Sequence, residues 1–544
     1  MAINLSAFFN NIGGQGQVSS DNSVSSGQSG EVSKVPANNN TNGTLVQGGG
    51  SGMELLKNML AGDTFSGKVI GMQNDNVLLS LADGNTVYAK LAPGSTISKG
   101  QTLTFMLESN NNNNISIKPL KMDEQLAVII NKALDAAMYP ATEGNINIVR
   151  ELLSLNMPVD VEMIGNMIKM STKFPDTDIS TIANLMKLNI PVTKENIMQY
   201  EAYKVYEHSI LNEFNDMGDD LSQMFKALID ENTTAADVAA KAQNLNEFVK
   251  ILYSDLEIDK SQAQSDFNGI IGKEGINMIS DIILNANPVG SDSAKTPALE
   301  FVKLMQSGKL TTQEFLEFIT EFIKDNPQIK EQMSHVFGSA DFNSLINQMI
   351  DETLKIKPSA VGGEDGISGY YKRIRKTLEK AVEAGLKDES ADALLKDMQQ
   401  VKSNIDFMND LNKNMTYFQM PVKFSESDAN GELYVFTNKK ALAAGTDNVS
   451  ALLHLDMDNL GPVDIYVRLS GKNVSTNFCL ESEEMLDFVY SNIDKLNSRL
   501  EALGYVCHFE MNISNDEKFN IINDIVEKDV SDFRTNQYIL DVRA

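Results

Sequence analysis

Ala451-Leu452-Leu453-His454-Leu455-Asp456-Met457-Asp458-Asn459-Leu460-Gly461-Pro462-Val463-Asp464-Ile465-Tyr466-Val467 is the stretch that decides how the last quarter of the chain folds. On both sides of Leu460-Gly461-Pro462 the apolar residues recur at every second position, which is the period of a strand. Leu453, Leu455 and Met457 therefore point one way, and His454 and Asp456 the other. In the second half Val463, Ile465, Val467 and Leu469 oppose Asp464, Tyr466 and Arg468. The expected result is a pair of strands with an apolar face and a wet face, the latter carrying His454, Asp456, Tyr466 and Arg468. Gly461 lies between the two strands and before Pro462, where a backbone conformation open mainly to glycine is expected.

The neighbouring runs extend the sheet. Strand patterns are expected at Tyr417–Phe424, Glu432–Thr437, Val474–Leu480 and Tyr505–Met511. Between the last two, Leu486, Val489, Ile493, Leu496, Leu500 and Leu503 step by three and four, one helical stripe shaped to cover a sheet. The expected core is Leu453, Leu455, Val463, Ile465, Val467, Leu496 and Leu500. By the same alternation Cys479 and Cys507 fall on opposite faces, so free thiols are expected rather than a disulfide.

Upstream the pattern changes twice. From Thr64 to about Leu120 five short alternating runs are separated by turn residues such as Asp83-Gly84 and Pro93-Gly94, which reads as a small barrel of the SH3-like or OB-like kind. Its aromatics are only Phe65, Tyr88 and Phe105, too few for the stacking platform of a single-strand binder. Residues 121 to about 415 read as helical. One repeat stands out: Leu155-Asn156-Met157-Pro158-Val159 with Glu162 recurs 33 residues on as Leu188-Asn189-Ile190-Pro191-Val192 with Glu195. Each copy reads as a helix end followed by a capped start at Asp160 or Thr193. Linkers are expected near Pro288–Pro297 and at Lys357–Gly369, and Tyr370–Lys376 is expected to lie on the solvated face of an amphipathic helix.

The chain opens on residues 1–52, rich in Gly, Ser and Asn and almost without charge, a composition that reads as disordered. An apolar patch, Ile3, Leu5, Phe8, Phe9 and Ile12, precedes it, and a short helix is expected at 53–62. The fold class is thus multidomain α+β: a disordered leader at 1–52, a small all-β barrel at 53–120, a mostly helical region at 121–356, a linker and helix at 357–415, and a C-terminal α+β domain with tail at 416–544.

Composition narrows the function. The 544 residues carry a net charge of −28, with 42% hydrophobic residues, two cysteines, four histidines and no tryptophan. That acidity argues against a general polyanion binder, and two cysteines cannot build a disulfide scaffold or a four-cysteine zinc site. No HExxH motif and no phosphate loop ending in Lys-Ser/Thr is present. His454 and Asp456 permit a His–carboxylate pair, but no nucleophile or metal-ligand set accompanies them. No enzyme, no cofactor and no metal is expected. No run approaches a membrane span or a cleaved secretory signal.

The stretch from Ala451 to Val467 resembles the C-terminal domain of the bacterial flagellar hook-length control family, which shows a strand of alternating leucines, a polar turn, Leu-Gly-x-Val and a second strand. Here that motif is Leu460-Gly461-Pro462-Val463, followed in family order by Val474–Leu480, the long helix and Leu503-Gly504. The likeness covers roughly residues 415–513; the barrel and repeat look like the upstream part of clostridial-type relatives. The resemblance implies a protein exported through the flagellar type III apparatus on a flexible leader. It implies control of hook length and of the switch from rod and hook to filament subunits. The implied partners are the switch component of the export gate and, beyond it, hook and hook-cap subunits, with no nucleic acid and no direct membrane insertion. The implied location is the cytoplasm and then export. Relatives with a long Pro- and Gln-rich middle differ from this helical one. The alternative is a cytoplasmic structural or adaptor protein carrying such a domain. On this reading the partner face holds His454, Asp456, Leu460, Gly461, Pro462, Val463, Tyr466 and Arg468.

Overall fold

The computed structural model describes residues 59–526, apart from short stretches at 74, 82–83, 96, 112–113, 231, 287–291, 363–365, 385–390, 425–426, 438–447, 458–459 and 515–518. The leader at 1–52, most of the expected helix at 53–62 and the end of the tail lie outside the described residues. Residues 59–62 are not helical, and Gly62 turns the chain at φ +95°. The chain divides into two compact units between Val192 and Thr193, inside the repeat, so residues 357–415 fold in one unit with the sheet that follows.

In the first unit, β1 (Thr64–Gln73), β2 (Asn76–Ser80), β3 (Thr86–Leu91), β4 (Thr102–Asn111) and β5 (Asn114–Pro119) close a barrel in the order β1-β2-β3-β5-β4. The parallel pairing of β3 with β5 selects the OB-like of the two expected kinds. The alternation is strict where one face fills the barrel: Val87, Ala89 and Leu91 are buried, and Tyr88 between them is 50% exposed. Phe65 stacks on buried Phe105 at 5.8 Å, so two of the three aromatics belong to the core.

Four helices follow: α1 (Met122–Ala136), α2 (Glu143–Ser154), α3 (Val161–Lys173) and α4 (Ile179–Lys187). The repeat is a pair of helix ends of one design. Asn156 and Asn189 take left-handed φ values of +52° and +56°. Met157 and Ile190 donate backbone N–H bonds to Leu152 and Leu185, and Asn156 and Asn189 donate theirs to Leu153 and Met186. That double bond set is the Schellman closure, and asparagine suits its left-handed position. The proline two residues on comes after the helix has ended. Asp160 and Thr193 then accept N–H bonds from Met163 and Asn196 as caps. The same design, proline included, occurs at Ala137-Met138-Tyr139-Pro140, where Met138 has φ +59°, Tyr139 bonds back to Leu134, and Thr142 caps α2; Val205-Tyr206-Glu207 repeats it without the proline, with Tyr206 at φ +64° and Glu207 bonded back to Ala202.

The second unit holds α5 (Lys194–Lys204), α6 (Ile210–Ala227), further helices between Ala235 and Val361, α7 (Gly366–Ala384) and α8 (Asp392–Leu411). Both expected linkers are helical in part, with residues 287–291 and 363–365 outside the described residues. A helix runs from Asp292 to Gln306 through Pro297, and α7 begins at Gly366 within the glycine-rich stretch. In both, tertiary burial outweighs propensity: Ala298, Phe301, Val302 and Met305 are buried in the first, and Ile367, Tyr370, Tyr371 and Ile374 in the second. The tyrosines of Tyr370–Lys376 are thus core, their hydroxyls donating to the carbonyls of Leu354 and Gln419, and only Lys372, Arg375 and Lys376 keep to the surface.

The sheet comprises β6 (Thr416–Lys423), β7 (Asp428–Val435), β8 (Asn448–Met457), β9 (Gly461–Ser470), β10 (Asn473–Leu480) and β11 (Val506–Ile513), in sequence order across the sheet. All pairs are antiparallel except β10–β11, which α9 (Glu483–Ala502) connects as a crossover. Ser482 caps α9 by accepting from the Met485 N–H. The expected core needs correcting. Val463, Phe478 and Leu480 are buried, with Met457, Leu460, Ile465, Met485, Leu486, Val489, Ile493, Phe509 and Met511 packed against them. Leu453, Leu455, Val467 and Leu500 are only half-buried, and Leu496 is 38% exposed. The reason is that α9 lies chiefly over β11 and leaves the apolar face of β8 and β9 partly open.

Candidate functional site

One row of side chains crosses the sheet on the face of His454. The register places Gln419, Glu432, His454, Asp464, Cys479 and Asn512 opposite one another, one from each strand. All point the same way, because directly paired residues share a face. Burial falls along the row. Gln419 is fully buried and Glu432 nearly so, His454 and Asp464 are partly buried, and Asn512 is exposed.

At its buried end the row meets the helices. His208, between α5 and α6, approaches Glu432 Oε1 with Nε2 at 2.9 Å, and Tyr434 donates its hydroxyl to the other Glu432 oxygen. His208 Nδ1 has no partner among the described residues, and an ionised Glu432 can only accept, so Nε2 is the ring nitrogen that donates to it. Tyr203 stacks on the His208 ring at 4.1 Å, its hydroxyl bonded to Asn404 of α8 at 2.7 Å. Gln419 donates to Tyr203 at 2.8 Å and accepts from the Ile210 N–H at 3.0 Å. Burial alone would raise the Glu432 carboxyl. The bond and charge of His208, helped by Tyr434 and His454, overcome it and hold Glu432 below the usual carboxylate range.

At the middle of the row His454 Nδ1 lies 2.6 Å from Asp464 Oδ1. Burial disfavours the charged ring, but the Asp464 bond and charge, with Glu432 and Asp456 behind them, push His454 upward. The carboxylate partner is therefore Asp464 on the next strand and not Asp456, two residues away, which is exposed. Cys479 follows Asp464 in the row; burial and that carboxylate push its thiol up to about 11, which keeps it protonated and unreactive at neutral pH. Cys479 and Cys507 are free thiols on opposite faces.

The expected partner face splits. Leu460 and Val463 pack into the core beneath α9, and Gly461 pairs with Met457 at φ +65°. Pro462 sits opposite Asp456 on the polar face, with Tyr466 half-buried and Arg468 exposed further along β9. Sequence reading missed Glu432, His208, Gln419 and Tyr203. Their signal was two polar residues, Gln419 and Glu432, inside otherwise apolar strands. No group of three or more His, Cys, Asp or Glu side chains able to hold a metal ion occurs among the described residues.

The order of strands, the α9 crossover and the Leu460–Val463 turn define an α+β domain in which a polar row is carried on one face and a helix on the other. Residues 437–520 match the family described as flagellar hook-length control protein FliK, so the chain carries that family's hook-length control domain. No curated protein and no solved structure matches the chain. Among the described residues no helix is long and apolar enough to cross a membrane.

Proposed function

We propose that this protein controls flagellar hook length and the export switch, as a non-enzymatic binding factor that leaves the cytoplasm through the flagellar type III apparatus. The observation that carries the reading is the hook-length control match over 437–520, which falls on β8–β11 and α9. The partner is the switch component of the export gate, with hook and hook-cap subunits met during transit; nucleic acid and membrane insertion play no part. The exposed end of the polar face, Asp456, Arg468 and the partly open His454, is the side offered to the gate. The charge-poor residues 1–52 serve as the export leader.

Reach does not limit such a regulator. An extended chain covers about 3.3–3.6 Å per residue, on the order of 1,600 Å for the roughly 490 residues outside the terminal helix and tail, and helices shorten that to about 1.5 Å per residue. Deletion of the gene is expected to give overlong hooks with few filaments by electron microscopy. Deletion of residues 2–30 is expected to stop export while the cytoplasmic protein stays folded. Hooks of normal length in the deletion strain would overturn the reading in favour of an adaptor that stays inside the cell.

A further inference from the structure

β11 is the last strand of the sheet, and among the described residues no strand lies beyond it. Val506 and Ser514 donate their N–H groups inward, to the carbonyls of Lys472 and Leu480. Direction alternates along a strand, so the N–H and C=O groups of Cys507, Phe509, Met511 and Ile513 point outward. The strand is eight residues long and carries neither proline nor lysine, the usual means of blunting an edge. Val506 and Ile513 are 64% and 49% exposed. The opposite edge is not left this way: Ile356 bridges Val422 alongside β6.

The helix above β11 sets what such an edge can accept. The apolar stripe of α9, Leu486, Val489, Ile493, Leu496 and Leu500, faces the sheet. Parallel β-α-β units cross over right-handedly, and each residue of a right-handed helix turns the chain by about 100°. Together these rules aim the residue after each stripe position at the free side of β11, and the residue before it at β10. The outer residues are therefore Asp487, Tyr490, Asp494, Asn497 and Glu501, and the inner ones include Phe488, Asn492, Lys495 and Arg499. Charge is sorted across the helix, with carboxylates outward and cations inward. Burial and, after it, the Glu501 charge push the Cys507 thiol upward, so that carboxylate is felt on β11. Asp487, Asp494 and Glu501 are exposed, and Tyr490 between them is 69% exposed. On the other face of the sheet Glu510 adds a carboxylate to the same strand.

We propose that the free edge of β11 takes an extended basic segment of another protein, paired as a further strand, with alternate lysines or arginines set under the acidic flank of α9. The dimensions agree. Eight residues of strand span about 27 Å and the twenty of α9 about 30 Å, so the flank covers the added strand along its length. Every second side chain of that strand points toward α9, where a lysine or arginine stem packs on Tyr490 and its head reaches the carboxylates. The backbone ladder supplies affinity, and the acidic flank selects the sequence. A second copy of this domain does not suit the edge, because two acidic flanks would then face each other.

The inference concerns a binding surface and stands apart from any role in hook assembly. Fluorescence anisotropy of labelled peptides with the full chain tests it. A peptide of five Lys-Val repeats is expected to bind at least about 10-fold tighter than five Lys-Pro repeats, which carry the same charge but lack the alternate N–H groups of a strand. Five Glu-Val repeats are expected not to bind. Asp487→Asn, Asp494→Asn and Glu501→Gln together are expected to weaken Lys-Val binding at least about 10-fold, with the melting temperature unchanged. Saturating Lys-Val peptide is expected to slow hydrogen exchange at the outward amides of β11 at least about 10-fold in the wild-type chain, and to leave β8 as it was. Equal affinity for the Lys-Val and Lys-Pro peptides overturns the proposal, by reducing the binding to charge alone. Full affinity in the triple variant, or exchange at β11 unaltered by the peptide, overturns it by placing the peptide elsewhere on the acidic surface.

Discussion

The two ends of the sheet are built from the same alternating strands and have different fates. At β6 and β7 both faces are buried, so almost every residue from Thr416 to Val422 lies inside. Gln419 and Glu432 survive there because each has partners: Gln419 has Tyr203, Asn404 and the Ile210 N–H, and Glu432 has His208 and Tyr434. At β9 to β11 one face is wet and the other has a helix with no buried residue. Alternation sets which way a side chain points. What lies above it decides whether that direction is core.

The comparison breaks most visibly at Glu432. Glu432→Ala leaves His208 and Tyr434 buried without their acceptor, and the expected loss is about 3–5 kcal/mol, the range for removing one member of a buried pair. Because Glu432 is held below its usual range, its contribution is present above about pH 4.5 and is lost as pH falls through the lower folded value. Urea unfolding of wild type and variant at pH 7 and pH 3 checks both statements. A loss below about 1 kcal/mol at pH 7 would mean the buried end is no more demanding than a surface pair.

Next in size is a pair of leucine truncations. Leu452 is fully buried on β8 and Leu496 is 38% exposed on α9. Leu452→Ala is expected to cost about 2–5 kcal/mol and Leu496→Ala less than about 1 kcal/mol. Half-buried Leu455 falls between them. Equal losses at Leu452 and Leu496 would show that α9 is better covered than its exposure indicates.

Much of this fold was legible in the sequence. The strands and α9 stand close to where period two and the 3-4 stripe put them, because periodicity is a local property. Coverage is not local. Glu432 and His208 are 224 residues apart, and nothing near either announces the other. His454 was correctly placed on the polar face, yet its partner is across the strand pair, and sequence proximity pointed to Asp456. The third helix end at Met138 escaped notice for another reason. Methionine is a poor left-handed residue, so only the backbone bonds of Met138 and Tyr139 reveal its kinship with Asn156 and Asn189.

Gly461 sharpens the comparison at the turn that opens β9. Its φ of +65° is unfavourable for any residue with a Cβ, and an added Cβ would lie 3.1 Å from a Glu481 carboxylate oxygen. Gly461→Val is expected to destabilise by about 1–3 kcal/mol. Gly471, at φ +60° with open space around it, is the control. Gly471→Ala carries the backbone strain without the clash and should cost about 1–2 kcal/mol. Equal melting temperatures for wild type and Gly461→Val would remove the strained turn from the account.

The smallest effect is expected where the row passes from buried to open, at His454 and Asp464. The folded pair raises the His454 pKa, so its contribution is complete below the unfolded value of about 6.5 and disappears as pH rises through the folded one. Asp464→Asn removes the charge that causes the shift. Wild type should therefore be the more stable of the two at pH 5.5, by about 1 kcal/mol or less as for pairs near a surface, and the advantage should shrink by pH 8.5. Glu432 stays ionised across that window and does not confound the measurement. Urea midpoints at half-unit steps of pH follow the difference directly. A gap between the two proteins that stays constant from pH 5.5 to 8.5 would mean His454 is neutral throughout, bonded to Asp464 as an ordinary donor, and that ionisation along the row stops at Glu432.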